Sequence, residues 1–175
     1  MNVGISIPGT REKSLPGSPL RHALRVTRRI VRAKLQNEKS VQRKKQRVEL
    51  KTYGGSPDNL KAIQGETVYY SWKFKLPINF KVSKNFTHLH QIKSVGGIYA
   101  SAPMVTLTAR KATPDRMELR YTSTNTQSTL KTALLDLFRG EWVKVTEVIK
   151  YENLGEYYVK ISRISDGQVL FKYNM

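Results

Sequence analysis

Residues 67–76 read TVYYSWKFKL, and this stretch decides the fold class that the sequence predicts. Large apolar side chains recur at every second position, among them Val68, Trp72, Phe74 and Leu76. Successive side chains of a β-strand point to opposite faces of the sheet, so a period of two indicates a strand with one buried face. The lysines and the serine between the apolar residues would lie on the opposite face.

Similar stretches fill the chain from residue 45 onward. They are rich in β-branched and aromatic residues and are separated by turn signals containing Gly, Pro, Asn and Asp. They read VELKTY, FTHLHQIKSV, MVTLTARK, MELRYTST, EWVKVTEVIKY, EYYVKISRI and QVLFKY. Only residues 129–138, TLKTALLDLF, have a pattern that also fits a helix. Many short strands without βαβ alternation predict an all-β fold, an antiparallel β-sandwich of the jelly-roll type.

The first quarter of the chain has a different composition. Residues 1–47 hold 13 Lys and Arg against two acidic residues, which accounts for +11 of the net charge of +18. Pro and Gly recur through residues 1–19 and predict disorder. Residues 21–45 contain neither, and their apolar residues recur at helical spacing among arginines, which predicts a basic helix. We therefore divide the chain into a basic arm, residues 1–44, and a folded domain, residues 45–175.

The composition also limits the classes of function. There is no cysteine, which excludes disulfides and thiolate metal sites. No apolar run is long enough for a membrane helix, so we expect no membrane span. The N-terminus lacks the apolar core of a signal peptide and indicates no location. The arm, residues 1–44, would attract polyanions, and nucleic-acid binding through it is one hypothesis, although no aromatic residue interleaves with its charges to stack on bases.

Residues 85–97, NFTHLHQIKSVGG, form a strand that is unusually polar. Strict alternation would place Phe86, His88, His90 and Ile92 on one face, and Thr87, Leu89, Gln91 and Lys93 on the other. Gln91 would then share a polar face with side chains of neighbouring strands, namely Arg47, Glu49, Lys51, Lys93 and Arg110. This face is either a hydrated outer surface or a cationic groove for an anionic chain. A β-bulge would be needed to bring either histidine to it.

Several of these motifs resemble a known family. Residues 47–51, RVELK, resemble the Arg-x-Glu-Leu strand of jelly-roll polysaccharide lyases of the alginate lyase and glucuronan lyase type, and residues 91–93, QIK, resemble their Gln-x-Lys strand. The runs GETVYYSWKFKLP, NFTHLHQIKSVGG, PMVTLTARK and GEWVKVTEVIKY are similar to glucuronan lyases in order and spacing. The resemblance covers residues 45–175. It implies a concanavalin-like sandwich and a secreted enzyme.

The resemblance also implies a reaction, β-elimination at a uronic acid within a polysaccharide. This chemistry needs a group that neutralises the carboxylate at C5, a base for the C5 proton and an acid for the departing O4. By analogy the catalytic residues would be Gln91 and Arg47, with His90 or His88 as base. Substrate-binding residues would be Lys93, Glu49, Lys51 and Arg110. The partner would be an acidic polysaccharide, and we expect a monomer.

One departure from the family concerns the C-terminus. These lyases carry a tyrosine on a late strand, and the sequence ends at VLFKYNM without that motif. We therefore expect a sandwich that is incomplete at its C-terminus, and whether it is catalytically competent is left open. A carbohydrate-binding jelly roll without activity is the main alternative. No metal site is predicted from spacing, although relatives with structural calcium suggest Asp115, Asp136 and Glu141 as oxygen ligands.

Overall fold

A computed structural model describes most of the folded part of the chain and two short segments before it, namely residues 2–6, 30–34, 55–56, 61–98 and 100–175. Almost all regular structure in these ranges is antiparallel β-sheet, together with a 3-10 helix at Leu135–Phe138. None of the helices in the described ranges has the length and apolar character needed to cross a membrane. The predicted all-β class with antiparallel sheets is confirmed.

The chain divides into two compact units. One comprises Met1–Ile78 and Gly140–Met175, and we call it the first unit. The other, Asn79–Arg139, is the second unit. Each contains one of the two sheets.

The sheet of the first unit has six strands. They are β1 (Asn2–Ser6), β2 (Ile30–Lys34), β3 (Thr67–Lys75), β8 (Trp142–Lys150), β9 (Tyr157–Arg163) and β10 (Val169–Asn174). Their spatial order is β10-β9-β8-β3-β1-β2, and neighbouring strands are antiparallel. Strands β3 and β8 pair along their whole length, from Thr67 opposite Lys150 to Lys75 opposite Trp142.

The core of this sheet follows from the alternation of its central strands. Trp72 and Phe74 on β3 are buried, as are Val143 and Val145 opposite them on β8 and Ile161 beyond them on β9. Removing a large apolar side chain from water stabilises the fold by about 1.5–3 kcal/mol. One face of the sheet is therefore held together by these side chains, as the period of two in β3 predicts.

The basic arm differs from its prediction where the structure describes it. Residues 2–6 and 30–34 form strands that pair with each other, from Asn2 opposite Lys34 to Ser6 opposite Ile30. The predictions of disorder in the first segment and of a helix in the second are wrong for these ten residues. Residues such as Ile30 and Val31 are β-branched, which lowers helix propensity and favours a strand. The rest of the predicted arm lies outside the described residues.

The sheet of the second unit has four strands in chain order. They are β4 (Thr87–Ile92), β5 (Val105–Arg110), β6 (Arg116–Thr122) and β7 (Gln127–Leu134). Leu107 and Ala109 on β5 and Met117 and Leu119 on β6 are buried side by side on one face. This arrangement is a meander in which each strand pairs with the next.

The segment 129–138, which also fitted a helix, is divided between two structures. Its first part belongs to β7, which ends at Leu134, and its last four residues form the 3-10 helix. Leu135 and Phe138 of that helix are fully buried, whereas Leu137 is exposed. The pattern of apolar residues came from burial of one side of a single short turn, so an α-helix over the whole segment is wrong.

Candidate functional site

Strand β4 contains a β-bulge that changes the orientation of its histidines. His88 pairs with Thr108 and His90 pairs with Leu107, so two residues of β4 advance the ladder by only one residue of β5. Leu89 is the additional residue. A bulge of this kind reverses the alternation of side chains beyond it.

The bulge places His88 and Gln91 on the same face of the second unit's sheet. Directly opposed residues of antiparallel strands share a face. His88 lies opposite Thr108 and Gln91 opposite Thr106, and the two threonines are two positions apart on β5. Both β4 side chains are exposed. The face assignment from strict alternation, which separated His88 from Gln91, is therefore wrong.

His90 lies on the other face. Its partner across the strands is Leu107, whose side chain is buried in the core of the unit. His90 itself is half-buried, as is the neighbouring Leu89. A role for His90 as the base remains a prediction, and its orientation favours His88 over His90 as the partner of Gln91.

The face that carries His88 extends across three strands, and we call it the polar face. Its residues are His88, Gln91, Thr106, Thr108, Arg110, Arg116, Glu118 and Arg120. The middle strand contributes small side chains, and both Thr106 and Thr108 are fully buried between the longer side chains of β4 and β6. The Thr108 hydroxyl donates to the Thr87 carbonyl oxygen at 3.2 Å. Within the described chain, the Thr106 hydroxyl makes no hydrogen bond.

At one end of the polar face an aromatic ring joins a cation to an imidazole. The rings of Phe86 and His88 have centroids 4.5 Å apart, with an angle of 35° between their planes. The guanidinium carbon of Arg110 lies 5.7 Å from the centre of the Phe86 ring. Such contacts hold a cation in place without neutralising it. Phe86 was not among the predicted site residues, although its alternation with His88 placed the two side chains near each other.

On β6, across the polar face from β4, a carboxylate is enclosed by arginines. Glu118 Oε2 accepts a hydrogen bond from Arg120 Nη1 at 2.8 Å and lies 3.9 Å from Arg110 Nε. Arg120 Nε also donates to Gln127 Oε1 at 2.9 Å. Since Arg110 is only loosely associated with Glu118, its guanidinium is the more available of the two for an anion.

The remaining predicted site residues fall in two groups. Lys93 lies just beyond β4, is exposed, and its Nζ donates to the Ser101 carbonyl oxygen at 3.4 Å. Arg47, Glu49 and Lys51 lie outside the described residues. Their convergence with Gln91 therefore stays a prediction.

Two of the three carboxylates suggested for calcium, those of Asp115 and Asp136, are engaged by cations, and the third residue, Glu141, is exposed. Asp115 accepts from Lys111 Nζ and from Arg139 Nη2, each at 3.0 Å, and Asp136 pairs with Arg139 Nη1. The Lys111 contact above all, with the Ala112 amide and Arg139, lowers the pKa of Asp115 below its ordinary value of 3.8. No group of three or more potential metal ligands occurs among the described residues.

The first unit contains a separate polar cluster, which is buried. Glu147 lies on the apolar face of β8 and is 2% exposed. One of its oxygens accepts from Trp72 Nε1 at 3.0 Å and the other from the Tyr157 hydroxyl at 2.8 Å. Burial first of all, and then the Glu147 carboxylate, raise the pKa of Tyr157 well above its ordinary value of 10.0. Tyr157 is thus a protonated hydrogen-bond donor at neutral pH.

A surface pocket in the first unit has a volume of about 540 Å³ and is lined by loop residues, namely Gln64, Gly65, Glu152, Asn153 and Leu154. Among the described residues that line the pocket, Glu152 is the only ionisable one, and one of its oxygens lies 3.2 Å from Lys150 Nζ. This pocket offers no acid and base pair, so the polar face is the better candidate for chemistry.

Comparison with known proteins adds no relative. No protein-family model matches the chain. Searches of curated proteins and of solved structures also found no match.

Proposed function

We propose that this chain acts on a uronic-acid-containing polysaccharide of the glucuronan or alginate type, as a lyase that cleaves by β-elimination. The observation that carries the proposal is the bulge at Leu89, which brings His88 to the face of Gln91. A base and a neutral carboxylate-binding amide on one exposed surface are two of the groups that this reaction needs. The motif resemblance over residues 45–175 supplies the substrate class.

In this proposal the carboxylate at C5 of the sugar is bound by Gln91 and Arg110. The amide of Gln91 donates without adding negative charge, and the Arg110 guanidinium provides a forked cationic donor. Both interactions strengthen as the electron pair left by the breaking C5–H bond delocalises into the carboxylate, so they stabilise the transition state more than the bound substrate.

His88 then removes the C5 proton. A neutral imidazole has an unprotonated ring nitrogen that can accept this proton. As the C5–H bond breaks, its electron pair forms the C4–C5 double bond and the C4–O4 bond breaks. The protonated imidazole returns a proton to O4, which leaves as a hydroxyl. The products are a new chain end and an unsaturated uronate.

The test is an assay for the unsaturated product on glucuronan and on alginate. We expect an increase in ultraviolet absorbance with the natural chain, and a loss of at least about 100-fold in rate for His88→Ala or Gln91→Ala, as is usual for a lost acid–base or electrostatic group. Gln64→Ala is the control for Gln91, because Gln64 is an exposed glutamine of the first unit. His90→Ala distinguishes the two candidate bases, and we expect it to retain most of the rate because His90 lies on the other face of the sheet. A natural chain that yields no product on either polymer would refute the proposal.

A further inference from the structure

The sheet of the first unit has a second face that is rich in lysine. On strands β3, β8, β9 and β10 six of the side chains opposite to the core belong to lysines, namely Lys73, Lys75, Lys144, Lys150, Lys160 and Lys172. We call this the lysine face. The acidic residue of these four strands, Glu147, lies on the buried face.

Two pairs of these lysines face each other directly across neighbouring strands. Lys73 lies opposite Lys144, and Lys160 lies opposite Lys172. Like charges in directly opposed positions destabilise a sheet. Of the six lysines, only Lys150 has a carboxylate within 4.0 Å in the described part of the chain, that of Glu152. The sheet thus retains an unfavourable arrangement that one acidic residue in each pair would relieve.

The two pairs form one continuous stripe. Lys144 lies opposite Ser162, and Lys160 is two positions from Ser162 on the same strand. The two lysines are therefore diagonal neighbours, at the separation of about 7–8 Å that is usual for such positions. Neighbouring strands are about 4.8 Å apart, so four ammonium groups cross the four strands over about 14 Å. This spacing suits an extended chain with repeated negative charges.

We propose that the lysine face binds an acidic polysaccharide chain through its repeated carboxylates. The choice of occupant rests on the function proposed above, whereas the stripe itself is a feature of the sheet. Lysine ammonium groups act as point charges for anions and impose little geometry on them. Stacking on single-stranded nucleic acid would need open aromatic rings in succession. Of the aromatic rings that the described strands place on this face, Tyr69 is exposed, Trp142 is half-buried, and the Tyr158 ring is covered by Lys172, whose Nζ lies 5.8 Å from its centre. The face thus offers one open ring and not a succession, which favours the polysaccharide.

Binding of polyglucuronate to the full-length chain tests the proposal. The Gln91→Ala background prevents cleavage, and Lys144→Gln with Lys160→Gln removes one member of each opposed pair. The control is Lys81→Gln with Lys84→Gln, two exposed lysines of the second unit, because it lowers the net charge equally. We expect about 2- to 30-fold weaker binding for the first variant, from the contribution of two exposed charge pairs, and less than twofold for the control. Equal losses in both variants would overturn the proposal.

A stability measurement checks the geometry without any ligand. Relief of two opposed like-charge pairs should raise Tm by about 1–8 °C in the Lys144→Gln, Lys160→Gln variant. A lower Tm would contradict the opposed pairs.

Two further outcomes separate this proposal from the lyase. Lysine-dependent binding in a chain that makes no unsaturated product would refute the lyase and support the binding face. Lysine-dependent binding of single-stranded DNA with no binding of polyglucuronate would overturn the occupant proposed here.

Discussion

The buried contact between Tyr157 and Glu147 gives a prediction with a defined magnitude and pH dependence. Tyr157→Phe removes the hydroxyl that donates to Glu147 Oε1 at 2.8 Å and leaves the ring in place. A hydrogen bond to a charged group contributes about 1.5–3 kcal/mol to stability. For a chain of this length, each kcal/mol shifts Tm by about 2–4 °C. We therefore expect Tm to fall by about 3–12 °C at neutral pH.

The loss of stability caused by Tyr157→Phe should become smaller at alkaline pH. The pKa of Tyr157 is raised on folding, so the stability that it contributes is fully present below its unfolded value of 10.0 and is lost as the pH rises above that value. Above about pH 10, the natural chain should lose about 1.4 kcal/mol per pH unit from this group alone. The phenylalanine variant has no such group. The difference in unfolding free energy between the two chains should narrow by about 1.4 kcal/mol at pH 11.

Urea unfolding from about pH 7 to pH 11 measures both quantities. Tyr158→Phe is the matched control, because Tyr158 is the next residue of β9, lies on the opposite face and has no hydroxyl hydrogen bond in the described chain. The reasoning would be refuted if both variants lost the same stability at neutral pH, or if the Tyr157→Phe difference stayed constant through pH 10.

Three other changes test separate parts of the structure. Phe86→Leu removes the ring contacts, so it should shift the imidazole proton resonances of His88 and lower any lyase rate about two- to fivefold. Phe86→Tyr keeps the ring and should leave the resonances and the rate unchanged. Unchanged His88 resonances in the leucine variant would contradict the ring contact. Lys111→Met should reduce how steeply the unfolding free energy falls below about pH 4. The lowered pKa of Asp115 contributes stability that is present above its ordinary value of 3.8 and is lost as the pH falls through the lowered value. An unchanged pH dependence of urea unfolding below about pH 4 would contradict this prediction. Gly155→Ala should cost about 1–3 kcal/mol, because its Cβ would lie 2.3 Å from the Lys150 carbonyl oxygen, whereas Gly96→Ala, with open space around it, should be nearly neutral in the same measurement.

The sequence predicts the central strands well, and the reason is burial on one face. In β3 every second residue is large and apolar over nine residues, and in β8 the same period of buried residues is interrupted by Glu147. Such a pattern fits only a strand with one face in the core. Residues 2–6 and 30–34 were harder to predict, because basic residues and prolines around them outweigh short β-branched segments.

The candidate site was predicted less completely, because its geometry depends on a bulge. The composition of β4 is the same with or without an additional residue in the ladder, so alternation alone separated His88 from Gln91. The pairing with β5 shows the shift between His88 and His90, and it arises from contacts between strands that are distant in sequence. Phe86 was missed for a related reason: its role depends on Arg110, which lies on another strand.

The bulge has a genetic consequence. Leu89 has no partner on β5, so the pairing of β4 is that of a regular strand into which one residue has been inserted. In the gene, the Leu89 codon corresponds to that inserted residue. Deleting Leu89 would leave the His88 imidazole and the Gln91 amide on the same face. Substitutions that abolish the bulge but keep Leu89 would instead turn His88 to the opposite face from Gln91. If this segment were aligned without a gap to a homologue that lacks the inserted residue, His88 and His90 would be matched to the wrong positions of that homologue.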